Sequence, residues 1–215
     1  MKSRSEYLAK SHYLEDEVAT SYEQKRFGSR LGRYRYAREQ AGVQSILGQL
    51  PANLEILDVP CGIGRWWPAL AAHARTIEGL DISPAMLAEA EKRIDSIEVP
   101  VTLHQGDAES LEIPDESVDA VFCHALMKHL PIPLQYSVLG ELARVSKRWV
   151  VCAFSIVDGF TYQFWKRRSF QDSFPLLPEQ LKDMAEWSNL DLVDRRRCTT
   201  RLGVEFSVLF EKRSK

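Results

Sequence analysis

The sequence predicts an α/β fold: a doubly wound, mostly parallel sheet of seven strands that closes with a C-terminal antiparallel hairpin. Three observations carry this expectation. From Glu55 onward, short apolar runs alternate with segments of helical period, at the spacing of strand–helix–strand crossovers. The last two runs are joined by a connection too short for a parallel crossover, so they must pair antiparallel. A chain of 215 residues, 45% hydrophobic and 27% charged, has an ordinary globular composition and enough length to bury a core without staples.

The elements follow in order. Residues 1–50 read as a helical N-terminal cap, with Arg33–Leu50 its main helix. The parallel strands are expected at Glu55–Val59, Thr76–Asp81, Val101–His104, Val118–Cys123 and Trp149–Ile156. Helices at Arg65–Ala74, Pro84–Ile94 and Leu134–Ser146 have apolar residues at i, i+3 and i+4. Ser83-Pro84 reads as an N-cap followed by proline at the first helical position. An aromatic and basic stretch then leads to a helix near Pro178–Ser188 and to hairpin strands at Leu190–Cys198 and Val204–Glu211. We read residues 1–215 as a single domain, divided into the cap, a central sheet over 51–156, a lid over 157–178 and a C-terminal helix and hairpin over 179–215.

Composition excludes several classes of protein. The net charge of −2 argues against a dedicated nucleic-acid binder. It hides a split, with +3 over residues 1–50, −7 over 51–150 and +2 over 151–215. Cys61, Cys123, Cys152 and Cys198 include no Cys-x-x-Cys pair and mostly fall in apolar runs, which reads as buried thiols. No stretch has the length of a signal peptide's apolar region or of a membrane span, so a cytoplasmic protein is expected.

The first strand runs into Asp58-Val59-Pro60-Cys61-Gly62-Ile63-Gly64, and a helix follows. Glycines at such a turn either make a simple tight turn or let a ligand approach the backbone. Trp67 stands where a dinucleotide fingerprint needs its third glycine, and there is no Walker lysine. Asp81 ends the second strand, placed to accept from a ribose diol. Asp107 follows the third, where a carboxylate suits an exocyclic amine. Each acid alone also suits a helix cap. Together they favour a nucleoside ligand at the carboxyl edge of the sheet.

On these segments the chain closely resembles the class I S-adenosylmethionine-dependent methyltransferases, of the type 11-like group, from about Tyr22 to the C-terminus. ILDVPCGIGRW is similar to the family's first motif, GLDISPAML to the second and QGDAESLEIPDESVDAVFC to the third with strand four. LGELARVSKRWVVCAF is similar to the helix and strand that follow. The resemblance implies a Rossmann-like methyltransferase fold, S-adenosylmethionine as cofactor, S-adenosylhomocysteine as product, and residues 51–156 as the cofactor-binding core. It implies that Asp58, Cys61, Gly62 and Gly64 border the cofactor's methionine part, that Asp81 holds the ribose, that Ile82 and Met86 pack on the adenine and that Asp107 and Ala108 read its edge. His124 matches a position lining the cofactor, and Tyr22, Arg26 or Arg33 of the cap would meet the methionine carboxylate. Proline at 60, where the family usually has glycine, removes one backbone donor.

Methyl transfer to a hydroxyl requires loss of a proton, for which histidine is the usual group. The resemblance places His129, with His124, beside the transferred methyl; His129 then acts as base or orients the acceptor, or else packs its helix. No metal site is expected, because His124 and His129 are five apart and the strand ends lack the acid and amide ligands of metal-assisted relatives. The sequence also lacks the Asn/Asp-Pro-Pro-aromatic motif of base-amino methyltransferases. In the lid, Phe160, Tyr162 and Trp165 would wall the acceptor and Arg168 would meet a negative group; an amphipathic helix packing its aromatics on the core is the alternative. The expected activity is metal-free O-methylation of a small-molecule, lipid-like or glycan-like acceptor that can carry negative charge. The rivals are an RNA methyltransferase using the basic ends and a cofactor-binding partner protein without chemistry.

Overall fold

The computed structural model describes residues 29–159, 161–163, 173–199 and 204–214. Helix α1 (Arg30–Leu47) precedes β1 (Leu54–Asp58). There follow α2 (Trp67–Leu70), β2 (Ala74–Asp81), α3 (Pro84–Glu91), β3 (Val101–Gln105) and β4 (Val118–Cys123). A 3-10 turn, Met127–His129, leads into α4 (Ile132–Val145) and β5 (Ser146–Ser155), and the chain ends in α5 (Pro178–Trp187), β6 (Leu190–Arg197) and β7 (Glu205–Lys212). The seven strands form one sheet in the order β3-β2-β1-β4-β5-β7-β6. The first five are mutually parallel, and β7 runs antiparallel to both β5 and β6. This is the predicted doubly wound architecture with its C-terminal hairpin.

Alternation along the central strands divides the core into two layers. Leu57, Val121, Val150 and Phe210 face α4 and α5, where Leu139, Leu142, Leu181 and Met184 meet them. Their neighbours Ile56, Phe122, Val151 and Leu209 face the other side, against Val43, Ile46 and Leu47 of α1 and Trp67 and Leu70 of α2. Helix α1 starts at Ser29, whose side chain accepts from Gly32 N at 2.9 Å. It packs closely: a Cβ at Gly42 would come within 2.8 Å of the Arg197 carbonyl oxygen and of Cys198 Sγ. Ser83 caps α3 through Met86 N at 3.3 Å, with Pro84 behind it as predicted.

One predicted helix is much shorter than expected. The segment Arg65–Ala74 is α-helical only at Trp67–Leu70. Gly64 turns the chain with φ +72° and β2 already begins at Ala74, so the residues between must make the whole crossover. No described helix is long and apolar enough to cross a membrane.

Candidate active site

The strand order reverses between β1 and β4, and an open α/β sheet binds ligands beyond the carboxyl ends of its strands at that point. A cleft of about 1020 Å³, partly open to solvent, lies there. The glycine loop after β1, the end of β2, the turn after β3 and the segment after β4 all contribute to its wall.

Asp81 links two of these elements. Its Oδ2 accepts from Gly62 N at 2.8 Å and its Oδ1 from Ser83 N at 2.9 Å, so one carboxylate fastens the glycine loop to the start of α3. Burial raises its pKa, and the amides of Ser83, Gly62 and Ile82 oppose that rise. Each carboxylate oxygen has two lone pairs, which leaves acceptor capacity on the cleft side for a diol. Gly62 has φ +53°, and a Cβ there would meet nothing within 4 Å, so the loop backbone forms an open cradle. The Val59–Pro60 peptide that leads into it is cis. Pro60 has no N–H to offer, while Cys61 N is satisfied by Leu80 O at 2.9 Å.

At the end of β2 and in the turn after β3, Ile82, Met86, Asp107 and Ala108 line the cleft. Asp107 Oδ1 accepts from Glu109 N at 3.0 Å, which shapes the turn after β3. At the other end stand His124, Ala125, Leu126, His129 and Leu130. His124 is 8% exposed and fixed by aromatic rings: it stacks on Phe122 at 11° and sits 4.7 Å from Trp66, centroid to centroid. His129 is half-buried on the 3-10 turn, whose compactness brings both histidines to the same cleft.

Several expected residues take other positions. Asp58 lies beneath the loop, only 1% exposed, and does not line the cleft. Burial pushes its carboxyl well above the usual range; the neighbouring Trp67 indole moderates the rise, yet neither oxygen has a hydrogen-bond partner among the described residues. Gly64 also lies outside the wall, and its role is packing, because a Cβ there would be 2.5 Å from the Trp67 ring. Arg33 is exposed on α1, away from the cleft. Tyr162 is half-buried and likewise not part of the wall. Tyr22, Arg26, Phe160, Trp165 and Arg168 lie outside the described residues.

A group that the motifs did not single out stands against His124. Arg65 and Trp66 line the cleft, and Arg65 Nη1 donates to Glu39 Oε2 of α1 at 2.8 Å. Glu39 Oε1 is 3.8 Å from His124 Nε2, and all three side chains are less than 10% exposed. Periodicity held the signal for Glu39: it shares a helix face with Val43 and Ile46, so an acid there had to be paired.

A family model described as a methyltransferase domain matches residues 56–148. The demethylmenaquinone methyltransferase of Lactiplantibacillus plantarum is 32% identical over 146 residues, 66% of this chain and 60% of that protein. The ubiquinone biosynthesis O-methyltransferase of Coxiella burnetii is 26% identical over 133 residues, 61% of this chain and 56% of that protein. The chain therefore spans less than two thirds of the length of these curated relatives. In fold it is similar to the magnesium protoporphyrin IX methyltransferase of Synechocystis PCC 6803 solved with S-adenosylhomocysteine, with a TM-score of 0.75 at 16% identity over 95% of this chain and 100% of that one. The matched methyltransferase domain spans the glycine loop, Asp81, Asp107 and both cleft histidines, and the relatives and the fold support the class I S-adenosylmethionine-dependent methyltransferases as its family.

Proposed function

We propose that this protein transfers a methyl group from S-adenosylmethionine to a hydroxyl oxygen of an amphipathic small-molecule acceptor of the quinol or lipid class. One observation carries the reading: a single cleft joins a nucleoside-compatible end, at Asp81 and Asp107, to an apolar end bearing two histidines. The cofactor supplies a methyl group made electrophilic by its sulfonium. Asp81 binds the ribose hydroxyls, Ile82 and Met86 hold the adenine, and the Gly62 cradle admits the methionine part. Asp58 contributes by supporting the loop from below.

At the acceptor end, Leu126, Leu130 and Trp66 exclude water and favour an apolar body. His129 is the more accessible histidine and accepts the proton of the acceptor hydroxyl; His124, immobilised by Phe122 and Trp66, shapes the pocket beside it. Residues 157–178 serve as the lid. Its described C-terminal part is tied to the turn that carries His129: Phe174 N donates to Lys128 O at 2.7 Å, and Gln135 Nε2 bridges Leu130 O and Phe174 O at 2.8 and 2.9 Å. The names of the two relatives, both quinone-pathway methyltransferases by their wording, support the acceptor class.

The test is transfer of labelled methyl from S-adenosylmethionine to hydroxylated quinols and to extracted lipids. His129→Ala is expected to lower turnover by about 10²- to 10⁴-fold, the range for general base catalysis, with affinity for S-adenosylhomocysteine held within threefold. Label that enters neither acceptor class refutes the assignment of acceptor. Turnover preserved in the variant assigns His129 to packing.

A further inference from the structure

We infer that Gln135, buried on the first turn of α4, is a positioning residue for His129: its side-chain amide fixes the turn that presents this histidine to the acceptor. Its role in turnover rests on the reading of His129 as the group that takes the acceptor's proton, and it supplies the residue that sets where that histidine stands.

The carbonyls on both sides of His129 are tied to one residue. Lys128 O accepts from Phe174 N at 2.7 Å. Leu130 O and Phe174 O both accept from Gln135 Nε2, at 2.8 and 2.9 Å. A primary amide has two N–H donors, and two carbonyl oxygens converge on this nitrogen, so the orientation of the amide is dictated and both donors are used. Phe174 is placed in turn by the chain after it. Leu176 N donates to Ser155 O at 2.8 Å and Val157 N to Leu176 O at 2.9 Å, which joins this segment to the end of β5. The Lys128 side chain adds an ion pair with Glu205 at the start of β7.

The turn needs such support. Its internal hydrogen bonds are those of a single 3-10 turn, His129 N to Leu126 O at 2.9 Å and Leu130 N to Met127 O at 3.1 Å, a geometry weaker than that of an α-helix. Stability alone does not account for a glutamine at this place. It is 1% exposed, and its Oε1 has no hydrogen-bond partner among the described residues, which is costly in a core. The other residues buried on α4, Val138, Leu139, Leu142, Ala143 and Val145, are all apolar. What glutamine supplies and an apolar residue cannot is the pair of donors, and both act on the backbone that carries His129. A proton acceptor works only within hydrogen-bond reach of the hydroxyl, so a turn released on one side moves the histidine away from its task.

Gln135→Met removes both donors and keeps an unbranched side chain of similar length. Two readouts on the full chain separate positioning from packing. In histidine-labelled protein, the His129 imidazole resonance, assigned by its loss in His129→Ala, should shift or broaden in Gln135→Met, while that of the exposed His104 on β3 stays at its wild-type position. For transfer of labelled methyl to a hydroxylated quinol, kcat should fall by about 10- to 100-fold, the scale of a misplaced catalytic group, with the acceptor KM and the affinity for S-adenosylhomocysteine held within about threefold. Adding Gln135→Met to His129→Ala should lower kcat no further. Gln135→Glu keeps the shape but sets a carboxylate against the two carbonyls; it should give the same pattern and serves as the test if the methionine variant does not fold. An unchanged His129 resonance overturns the assignment, and so does a kcat loss of equal size in the His129→Ala background. Wild-type turnover in His129→Ala, with the resonance still displaced by Gln135→Met, refutes instead the proton-accepting role of His129 and upholds its placement by Gln135.

Discussion

Replacing Asp81 by Asn perturbs binding and stability through the same two oxygens. The carboxylate is 5% exposed and accepts from Gly62 N at 2.8 Å and Ser83 N at 2.9 Å. An amide of the same shape accepts through one oxygen only, so its NH2 must face one of these two N–H groups. Hydrogen bonds to a charged group contribute about 1.5–3 kcal/mol each. The variant also escapes the desolvation that raises the pKa of Asp81, which offsets part of the loss. A net destabilisation of about 1–3 kcal/mol remains, and at about 2–4 °C per kcal/mol for a chain of this size the melting temperature should fall by about 2–12 °C. Losing the ribose contact should weaken S-adenosylhomocysteine by about 10- to 150-fold. Calorimetric titration and differential scanning calorimetry read the two effects separately. Unchanged affinity refutes the ribose assignment, and an unchanged melting temperature refutes the loop anchor.

The two loop glycines should separate folding from binding. Gly64→Ala would place a methyl group 2.5 Å from the Trp67 ring at φ +72°, so a loss of about 2–4 kcal/mol is expected in urea unfolding. Gly62→Ala meets open space at φ +53°, so it should lose only about 1–2 kcal/mol while blocking the cradle and abolishing measurable cofactor affinity; retained affinity would remove Gly62 from the site. Asp58 has a folded pKa raised by burial, so the folded state binds its proton more tightly than the unfolded chain does. Its stabilising contribution is complete below the unfolded value and is lost as pH rises through the raised one. Asp58→Asn should accordingly raise the melting temperature of the ligand-free protein more at pH 8 than at pH 4, by about 2–4 °C for each kcal/mol recovered. A gain independent of pH would contradict buried charge as the cause.

The fold was legible because both of its periods are strong. Val118–Cys123 was delimited to the residue, and the hairpin followed from a connection length alone. Local turn geometry was not legible in the same way. Apolar spacing in Arg65–Ala74 suggested a full helix, but nothing in that spacing reports how early β2 must begin to pair Ala74 with Leu54. Residues named by motif and lying at strand ends reached the cleft, as Asp81, Asp107 and His124 did. Arg33, placed by analogy with the cap, did not, because four arginines on one helix, Arg30, Arg33, Arg35 and Arg38, give no information about which of them faces inward. Arg65 was passed over because a charged residue beside a glycine loop looks like any surface arginine until its partner on α1 is known.

Charge is where the structure revises the sequence most. The −7 of residues 51–150 lies in the segment that carries Asp58, Asp81 and Asp107, with positive charge on either side of it. Much of that acidity instead stands at the opposite edge of the sheet. Glu55 and Asp119, near the starts of β1 and β4, pair with Arg75 and Lys147 near the starts of β2 and β5. Glu141 and Asp115 share Arg144, whose guanidinium also donates to the carbonyls of Leu111 and Ile113 and so fixes the chain leading into β4. The basic triplet of β6 is also displaced from the acceptor side. It lies on the outermost strand, where Arg195 and Arg197 rest on Phe206 and Arg196 pairs with Asp194. These partly exposed pairs are worth little individually, and their charge is spent locally. Among the described residues at the cleft, acids stand at the ends of β2 and β3 and one buried arginine, Arg65, shares Glu39 with His124. The polarity that matters for a zwitterionic nucleoside ligand thus runs along one cleft, over a few residues, and does not follow from the segment totals.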